Sequence, residues 1–456
     1  MLGKAVLAGS ARAIRAAFAQ TAAEASYASG AIVIGPGDVP LPVIARSATW
    51  HSIEFPPAIA SVLVLAEAPP NGAAARAVLE QAAAARMQVL LAEGEGARPL
   101  RLPDLLGAPL RAVDRARIRA MIAGKRVLIT GGGGSIGAEL ARRISGFAPA
   151  QLTLLDSSEH NLYQIGLELR AARTVLCDVR DEAAVRRWFG KERPDIVFHT
   201  AAMKQVPMVE AFPCEGVLTN ICGLRHVAEA AHWVDADLIF VSTDKAVEPS
   251  GVMGATKRFG EIYCQALDRL DGRRAIPVRL GNVLGSAGSV SPLFESQIAA
   301  GGPLTVTHAS MTRYFMSIPQ AAESLLQAAA TGLAAPRRGA VKVIEMGEPL
   351  PVVDLARSMI RLAGKRPDED IAIVFTRLRP GEKLHEQLVA RDEWPLNDAR
   401  DGVIAVMSQP RGLPELHEAM ARLASLAREG ADEELRNALF AAIALSEDES
   451  ELAATG

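Results

Sequence analysis

Through the middle of the chain, short runs that are apolar at nearly every position take turns with longer stretches whose apolar residues recur at helical spacing. KRVLIT from Lys125, then QLTLL, RTVLC, DIVFH, LIFVS and IPVRL, are rich in β-branched and leucine residues and lack the alternation of a strand with one wet face. Helical patterns such as AELARRI separate them. Fully apolar strands joined by helices predict an α/β, doubly wound parallel sheet of Rossmann type, here with a smaller C-terminal substrate lobe.

The first hundred residues repeat the theme on a smaller scale. KAVLAGSARAIRAAFA reads as strand, turn and helix, GAIVIG, SVLVLAE and MQVLLAE as strands, and AARAVLEQAAAA as a helix. The turn from Ala8 to Arg12 keeps one glycine where a phosphate cradle needs three, so this small unit is a degenerate nucleotide fold with a structural or regulatory role. After about residue 400, GLPELHEAMARLASLAREGADEELRNALFAAI predicts two amphipathic helices, and the acidic last ten residues predict a frayed tail. The expected organisation is a small α/β domain over 1–105, a linker over 106–123, a dinucleotide-binding catalytic domain with interleaved substrate lobe over 124–400, and C-terminal helices and tail over 401–456.

Of 456 residues, 49 % are hydrophobic, and 49 basic against 52 acidic residues give a formal charge of −3. Nothing global draws the chain to nucleic acid or to an anionic membrane, so no nucleic-acid partner is expected. No apolar run reaches the roughly 18 residues of a membrane span, and Arg12 and Arg15 break up any signal-peptide pattern. Cys177, Cys214, Cys222 and Cys264 lack metal-ligand spacing, which predicts reduced thiols, no metal site and a cytoplasmic location.

Candidate chemistry collects at the ends of the apolar runs. After Thr130 comes GGGGSIG, with Gly131, Gly134 and Gly137 three apart, Ser135 and Ile136 between them, and a helix following. Strand, glycine turn and helix is the context in which backbone N–H groups and a helix N-terminus receive a pyrophosphate. The next strand ends in Asp156 and Ser157, placing a carboxylate where it would accept from a ribose 2′-hydroxyl and repel a 2′-phosphate; NAD is expected over NADP. A helix cap is the alternative for Asp156. Asp178 and Val179 are placed to flank the adenine, and Ala201, Ala202 and Lys204 follow the strand after that.

The LIFVS strand runs into Thr243, Asp244 and Lys245, and beyond a Pro249-Ser250-Gly251 turn a helix carries Met253 and Lys257 on one face. A hydroxyl, a carboxylate and two amines can thus converge on one pocket, where Asp244 and Lys245 form either an acid–base pair or a plain ion pair. Lys204 and Asn220 flank it. His199 and His385 are expected in core and turn roles.

The blocks TGGGGSIG, HTAAMKQVPMVE, STDKAVEPSGVMGATK, GNVLGSAGSVSPLF, VTHASMTRYFM and LRPGEKLHEQL, in this order, resemble the nucleotide-sugar 4,6-dehydratases of the extended short-chain dehydrogenase/reductase superfamily over residues 104–456. Within them the chain is most similar to the large UDP-N-acetylglucosamine 4,6-dehydratases, without the membrane helices those carry. The resemblance implies a UDP-sugar substrate, bound NAD, and conversion to a 4-keto-6-deoxy sugar with carbon-5 configuration retained, for surface polysaccharide or glycan synthesis. A homo-oligomer is expected. Lys245 would be the carbon-5 base, Asp244 the acid for the departing 6-hydroxyl, Thr243 a partner of the 4-hydroxyl, and Lys257 a holder of the nicotinamide ribose.

Most members of the superfamily carry tyrosine where this chain has Met253, and the large subgroup has methionine there too, so the base for the first oxidation has no assignment. Asn282, Arg313, Arg379 and Glu382 fall in blocks that hold the nucleotide diphosphate or its ribose in relatives. Salt-bridge roles for the two arginines, and pairing of Glu382 with Lys383, are the structural alternatives. Two other functions share much of this pattern: a 4-epimerase, which has no need of the Asp–Lys pair, and a non-catalytic dinucleotide sensor or scaffold.

Overall fold

The computed structural model describes residues 5–20, 28–34, 36–39, 41, 43–53, 62–93, 96–106, 113–270, 272–396 and 402–444, so the expected frayed tail and residues 107–112 of the expected linker lie outside the described residues. The chain divides into two compact units. One comprises Met1–Pro109, Val290–Met311 and Glu348–Arg377; the other comprises Leu110–Ser289, Thr312–Gly347 and Leu378–Gly456.

The second unit is built on a nine-stranded sheet. Arg173–Leu176, Gln151–Asp156, Arg126–Thr130, Ile196–His199, Asp237–Thr243, Ala275–Leu280 and Val341–Ile344 lie side by side in that order, all parallel. Val403–Met407 adds antiparallel to Val341–Ile344, and Trp394–Pro395 pairs antiparallel with Val403–Met407 at the edge. Side chains alternate between two cores, as the pleat requires. Leu128, Val197 and Phe240 face one core with the helices Gly223–Trp233, Val252–Asp268 and Leu413–Glu429, while Ile129, Phe198 and Ile239 face the other with Ser135–Ser145 and Ile318–Ala334. Burial on both faces is why these strands read as unbroken apolar runs. The C-terminal helices Leu413–Glu429 and Asp432–Ile443 therefore belong to the body of this unit.

Strand order reverses between Arg126–Thr130 and Ile196–His199, whose neighbours lead off in opposite directions. The carboxyl ends of strands diverge in that crevice, so loops there have room for a ligand.

The first unit holds a six-stranded sheet in the order Val43–Ser47, Ala28–Ile34, Ala5–Ser10, Val62–Leu65, Gln88–Glu93 and Gly96–Pro99, parallel except for the last strand. Val6, Ala8, Ile32, Leu63 and Leu65 pack beneath the helix Gly72–Ala84, whose N-cap Asn71 accepts from the Ala74 amide. Helix Val352–Leu362 completes this unit: Leu362 packs against the same core and Arg361 pairs with Glu80 at 2.8 Å. At the single-glycine turn the Ser10 amide donates to the Glu67 carboxylate at 2.7 Å, so a side chain of the unit itself occupies a donor that a phosphate cradle would keep free.

Candidate active site

The glycine turn is shaped by steric exclusion. Gly131 has φ +68°, a left-handed conformation that favours glycine, and a Cβ there would lie 2.7 Å from the Ala201 nitrogen. At Gly137, in the first turn of helix Ser135–Ser145, a Cβ would come within 2.1 Å of the Gly131 carbonyl. The helix can seat against the strand only because these positions carry no side chain. Asp156 secures the turn from the neighbouring strand, accepting from the Gly133 amide through Oδ2 and from the Ser158 amide through Oδ1, both at 2.9 Å.

Every residue assigned from sequence to the dinucleotide, apart from Lys257, lines one cleft of about 470 Å³ above this turn. Gly131, Gly134, Ser135, Ile136 and Gly137 form its floor at the helix N-terminus, and Asp156, Ser157, Asp178 and Val179 its wall at the next two strand ends. Ala201, Ala202 and Lys204 border it after the strand Ile196–His199. Burial lowers the Lys204 ammonium below its ordinary pKa, and its Nζ donates to Ser286 Oγ at 3.0 Å. The donor set suits a dinucleotide: free amides at a helix N-terminus, a lysine, and a carboxylate one strand away.

Lys257 sits deeper. Its Nζ donates to the Val241 carbonyl at 3.0 Å and lies 4.7 Å from the centre of the Phe240 ring. Burial pulls its pKa down to about 8. On the same strand level His199 is fully buried, held by Thr130 Oγ1 at 2.7 Å on Nδ1, and burial together with the Lys257 charge lowers it to about 3. A neutral imidazole enclosed in this way is a core residue, and it lines neither cavity described here.

The strand Asp237–Thr243 delivers Thr243, Asp244 and Lys245. Thr243 Oγ1 donates to Asp244 Oδ1 at 2.9 Å, and Lys245 Nζ donates to the same oxygen and to Asn282 Oδ1, each at 3.0 Å. Asp244 is wholly buried and its Oδ2 has no hydrogen-bond partner among the described residues. Lys245 and Met253 border a small recess with Gly251, Gly254, Lys383 and Glu386. Asp244 does not line it and reaches it only through Lys245. In this arrangement the recess has room for little more than a water molecule, so any larger group enters only as its walls yield.

Among the other residues expected at the substrate, Asn220, Arg313 and Glu382 are engaged with backbone groups. Asn220, on the π-helical turn Leu218–Cys222, accepts from the Met203 amide at 2.8 Å and donates to the Met203 carbonyl and Thr256 Oγ1 at 2.9 Å, clamping the loop that carries Ala202 and Lys204. Arg313 donates to the carbonyls of Thr312, Lys383 and Leu384. Glu382 accepts from the Arg379 amide, and the Arg379 side chain is exposed. Lys383 donates to the Val247 carbonyl rather than to Glu382. His385 Nδ1 lies 2.9 Å from Thr312 Oγ1 in a turn.

The profile of the family described as "Polysaccharide biosynthesis protein" matches residues 127–407, more than half of the chain. The chain belongs to this polysaccharide biosynthesis protein family. Capsular polysaccharide biosynthesis protein CapD of Staphylococcus aureus is 43 % identical over 65 % of this chain, and the chain spans 50 % of that relative's length. A UDP-glucose 4-epimerase of Rickettsia akari is 33 % identical over 64 % of this chain and 86 % of its own. Among solved structures, Pen from Bacillus thuringiensis superposes with a TM-score of 0.56 at 31 % identity, covering 64 % of this chain and 90 % of that one.

Two features of this family member escaped the sequence reading because they join residues far apart in the chain. Beneath the site, Arg279 and Glu261, both completely buried, pair at 2.6 Å, and Glu393 and Arg258 extend the network. Glu261 also accepts from Ser242 Oγ at 2.7 Å, fixing the strand one residue before Thr243 against the helix that carries Met253 and Lys257. Burial pushes the Glu393 carboxyl up, but the hydrogen bonds and charge of Arg279 outweigh it and hold Glu393 well below the usual carboxylate range. The second feature is Glu210, which accepts from the Val252 amide at 2.5 Å at the start of that helix and pairs with Arg436 of the C-terminal helix at 2.6 Å. Nothing local to that helix announces it, since its first turn carries no acidic residue and its N-cap is Gly251.

Proposed function

We propose that this chain is an NAD-dependent nucleotide-sugar enzyme that oxidises carbon 4 of a UDP-sugar, and that its reaction is 4,6-dehydration of UDP-N-acetylglucosamine. The observation that carries the reading is the 3.0 Å contact of Lys245 Nζ with Asp244 Oδ1, beside the recess that Met253 also borders. Bound NAD supplies a hydride acceptor and later a hydride donor, and the cradle at Gly131 and Gly137 with Asp156 opposite would hold it. Asp156 favours a free 2′-hydroxyl over a 2′-phosphate, hence NAD over NADP.

The pair can set its own protonation states. Passing one proton from the Lys245 ammonium to Asp244 Oδ1 along their 3.0 Å hydrogen bond turns an ion pair into a free amine and a carboxylic acid. The amine then removes the carbon-5 proton, acidified by the adjacent 4-ketone. The carboxylic acid, through its contact with Lys245, returns a proton to the departing 6-hydroxyl, which leaves as water. The Lys245 ammonium returns a proton to carbon 5 as carbon 6 receives the hydride, and the proton released from the 4-hydroxyl in the first oxidation recharges the pair, so the chain ends as it began. Delivery of the returning proton to the face from which it left retains the configuration at carbon 5.

A second reading, 4-epimerisation, is favoured by the Rickettsia akari UDP-glucose 4-epimerase, of whose length this chain spans 86 % at 33 % identity. It shares the carbon-4 oxidation and leaves the Asp244–Lys245 pair without a task. Incubation with UDP-N-acetylglucosamine and with UDP-glucose, followed by proton NMR of the products, separates the two. A 4-keto-6-deoxy sugar supports dehydration, a carbon-4 epimer supports epimerisation, and recovery of both sugars unchanged rejects the common step.

A further inference from the structure

Met253 borders the recess at the position where a phenol would take the proton of the 4-hydroxyl, and a thioether cannot accept it. The same recess has a carboxylate on its wall. Glu386, with its side chain 2 % exposed, belongs to the segment after Arg379 and lines the recess together with Lys245 and Met253. Its two oxygens are differently placed. Oε1 lies 3.7 Å from Lys245 Nζ and 3.6 Å from Arg313 Nε, whereas Oε2 is buried and has no hydrogen-bond partner among the described residues.

A buried carboxylate oxygen without a donor is costly and calls for a reason. Simple anchoring of Arg313 does not supply one, because Arg313 is already held by the carbonyls of Thr312, Lys383 and Leu384. Nor is the segment in need of Glu386 for attachment: Lys383 fastens it to Val247, and the Arg313 guanidinium binds its backbone. One oxygen is steered by two cations while the other is buried without a donor on a residue that lines the recess, an arrangement suited to a proton acceptor.

We propose that Glu386 accepts the proton of the sugar 4-hydroxyl during the first oxidation, the task that Met253 cannot perform. The O–H bond breaks, its proton goes to Glu386 Oε2, and its electron pair forms the carbonyl as the carbon-4 hydrogen leaves with two electrons for the oxidised nicotinamide. The inference rests on the carbon-4 oxidation common to both readings of the proposed function and does not depend on which of them follows it.

The test compares wild type, Glu386→Gln and Lys245→Met in single turnovers with UDP-N-acetylglucosamine and UDP-glucose, following the absorbance of reduced nicotinamide, with UDP affinity by calorimetry and thermal unfolding as companion measurements. Glu386→Gln is expected to lose about 10²- to 10⁴-fold in the rate of nicotinamide reduction while UDP affinity and unfolding temperature stay at wild-type values. Lys245→Met is expected to accumulate reduced nicotinamide, because its block comes after the oxidation. Reduction in Glu386→Gln at a rate near that of wild type overturns the inference and leaves the proposed function standing. So does a loss that is matched by lost UDP binding or lost stability, which marks a structural residue. Absence of any reduction or turnover in wild type with either sugar overturns the proposed function and the inference together.

Discussion

Lys245 Nζ donates to Asp244 Oδ1 at 3.0 Å although the two are adjacent in sequence and their carboxylate is completely buried. Neighbours on an extended strand point to opposite faces. The chain overcomes this by ending the strand at Thr243 and turning into a short 3₁₀ segment, Asp244–Ala246, with Thr243 Oγ1 directed onto Asp244. Acid and amine are thereby folded onto one another at the edge of the recess.

Substitution of either partner separates an acid–base pair from a structural ion pair. Asp244→Asn and Lys245→Met should each lower kcat by about 10²- to 10⁴-fold with little change in KM, measured by product formation from UDP-N-acetylglucosamine. Unchanged turnover in both would remove the pair from the chemistry.

The glycine cradle makes a steric prediction. Gly137→Ala places a methyl group 2.1 Å from the Gly131 carbonyl, so the helix must shift, at a cost of about 1–3 kcal/mol. NAD affinity by calorimetry should fall steeply, because the displaced helix end carries the amides facing the cleft. Gly412→Ala, where the backbone φ of −75° is ordinary and a methyl group meets nothing closer than 3.9 Å, serves as the control for the methyl group itself.

Asp156 combines two duties. Asp156→Ala should weaken NAD by about ten- to a hundredfold and narrow the preference over NADP, read as dissociation constants for both. It also removes the acceptor of the Gly133 and Ser158 amides, so a small loss of stability accompanies it.

How much of this was legible in the sequence varies with range. The parallel sheet and the cleft follow from local patterns, since Ile129 and Phe198 announce burial and Gly131 and Gly137 announce a tight turn within a few residues of one another. The motifs set Asn220 and Arg313 at the substrate, but their side chains go to the backbones of Met203 and Lys383, and no spacing rule reveals which groups a long-range fold leaves in need of donors. Glu386 stood in a motif that drew attention to Arg379 and Glu382. Its burial, and its place with Met253 on one recess, depend on a segment more than a hundred residues away.

The buried network should dominate stability near the site. Arg279→Met strips Glu261 and Glu393 of their main partner and should cost about 3–5 kcal/mol in denaturant unfolding. A loss of under about 1 kcal/mol would show that the carboxylates find other donors.

Acid should weaken the fold in two stages. His199 is pushed down to about 3 in the folded state by burial and by Lys257, so between its ordinary 6.5 and that value the unfolded chain binds the proton and stability falls as pH drops. Glu393, held down toward about 2 from 4.5, adds a second decline at lower pH, its contribution being complete above the unfolded value. Each stage approaches about 1.4 kcal/mol per pH unit at its steepest. In His199→Phe the upper stage should vanish from the pH dependence of unfolding while the lower one persists.

The pairing of Asp244 with Lys245 as the engine of water loss is tested most directly by turnover of UDP-N-acetylglucosamine in deuterated water, with the product examined by mass spectrometry and NMR. The account predicts a 4-keto sugar lighter by one water, with solvent deuterium at carbon 5, and loss of both signatures in Lys245→Met. A product of unchanged composition, inverted at carbon 4 and free of deuterium at carbon 5, would contradict it.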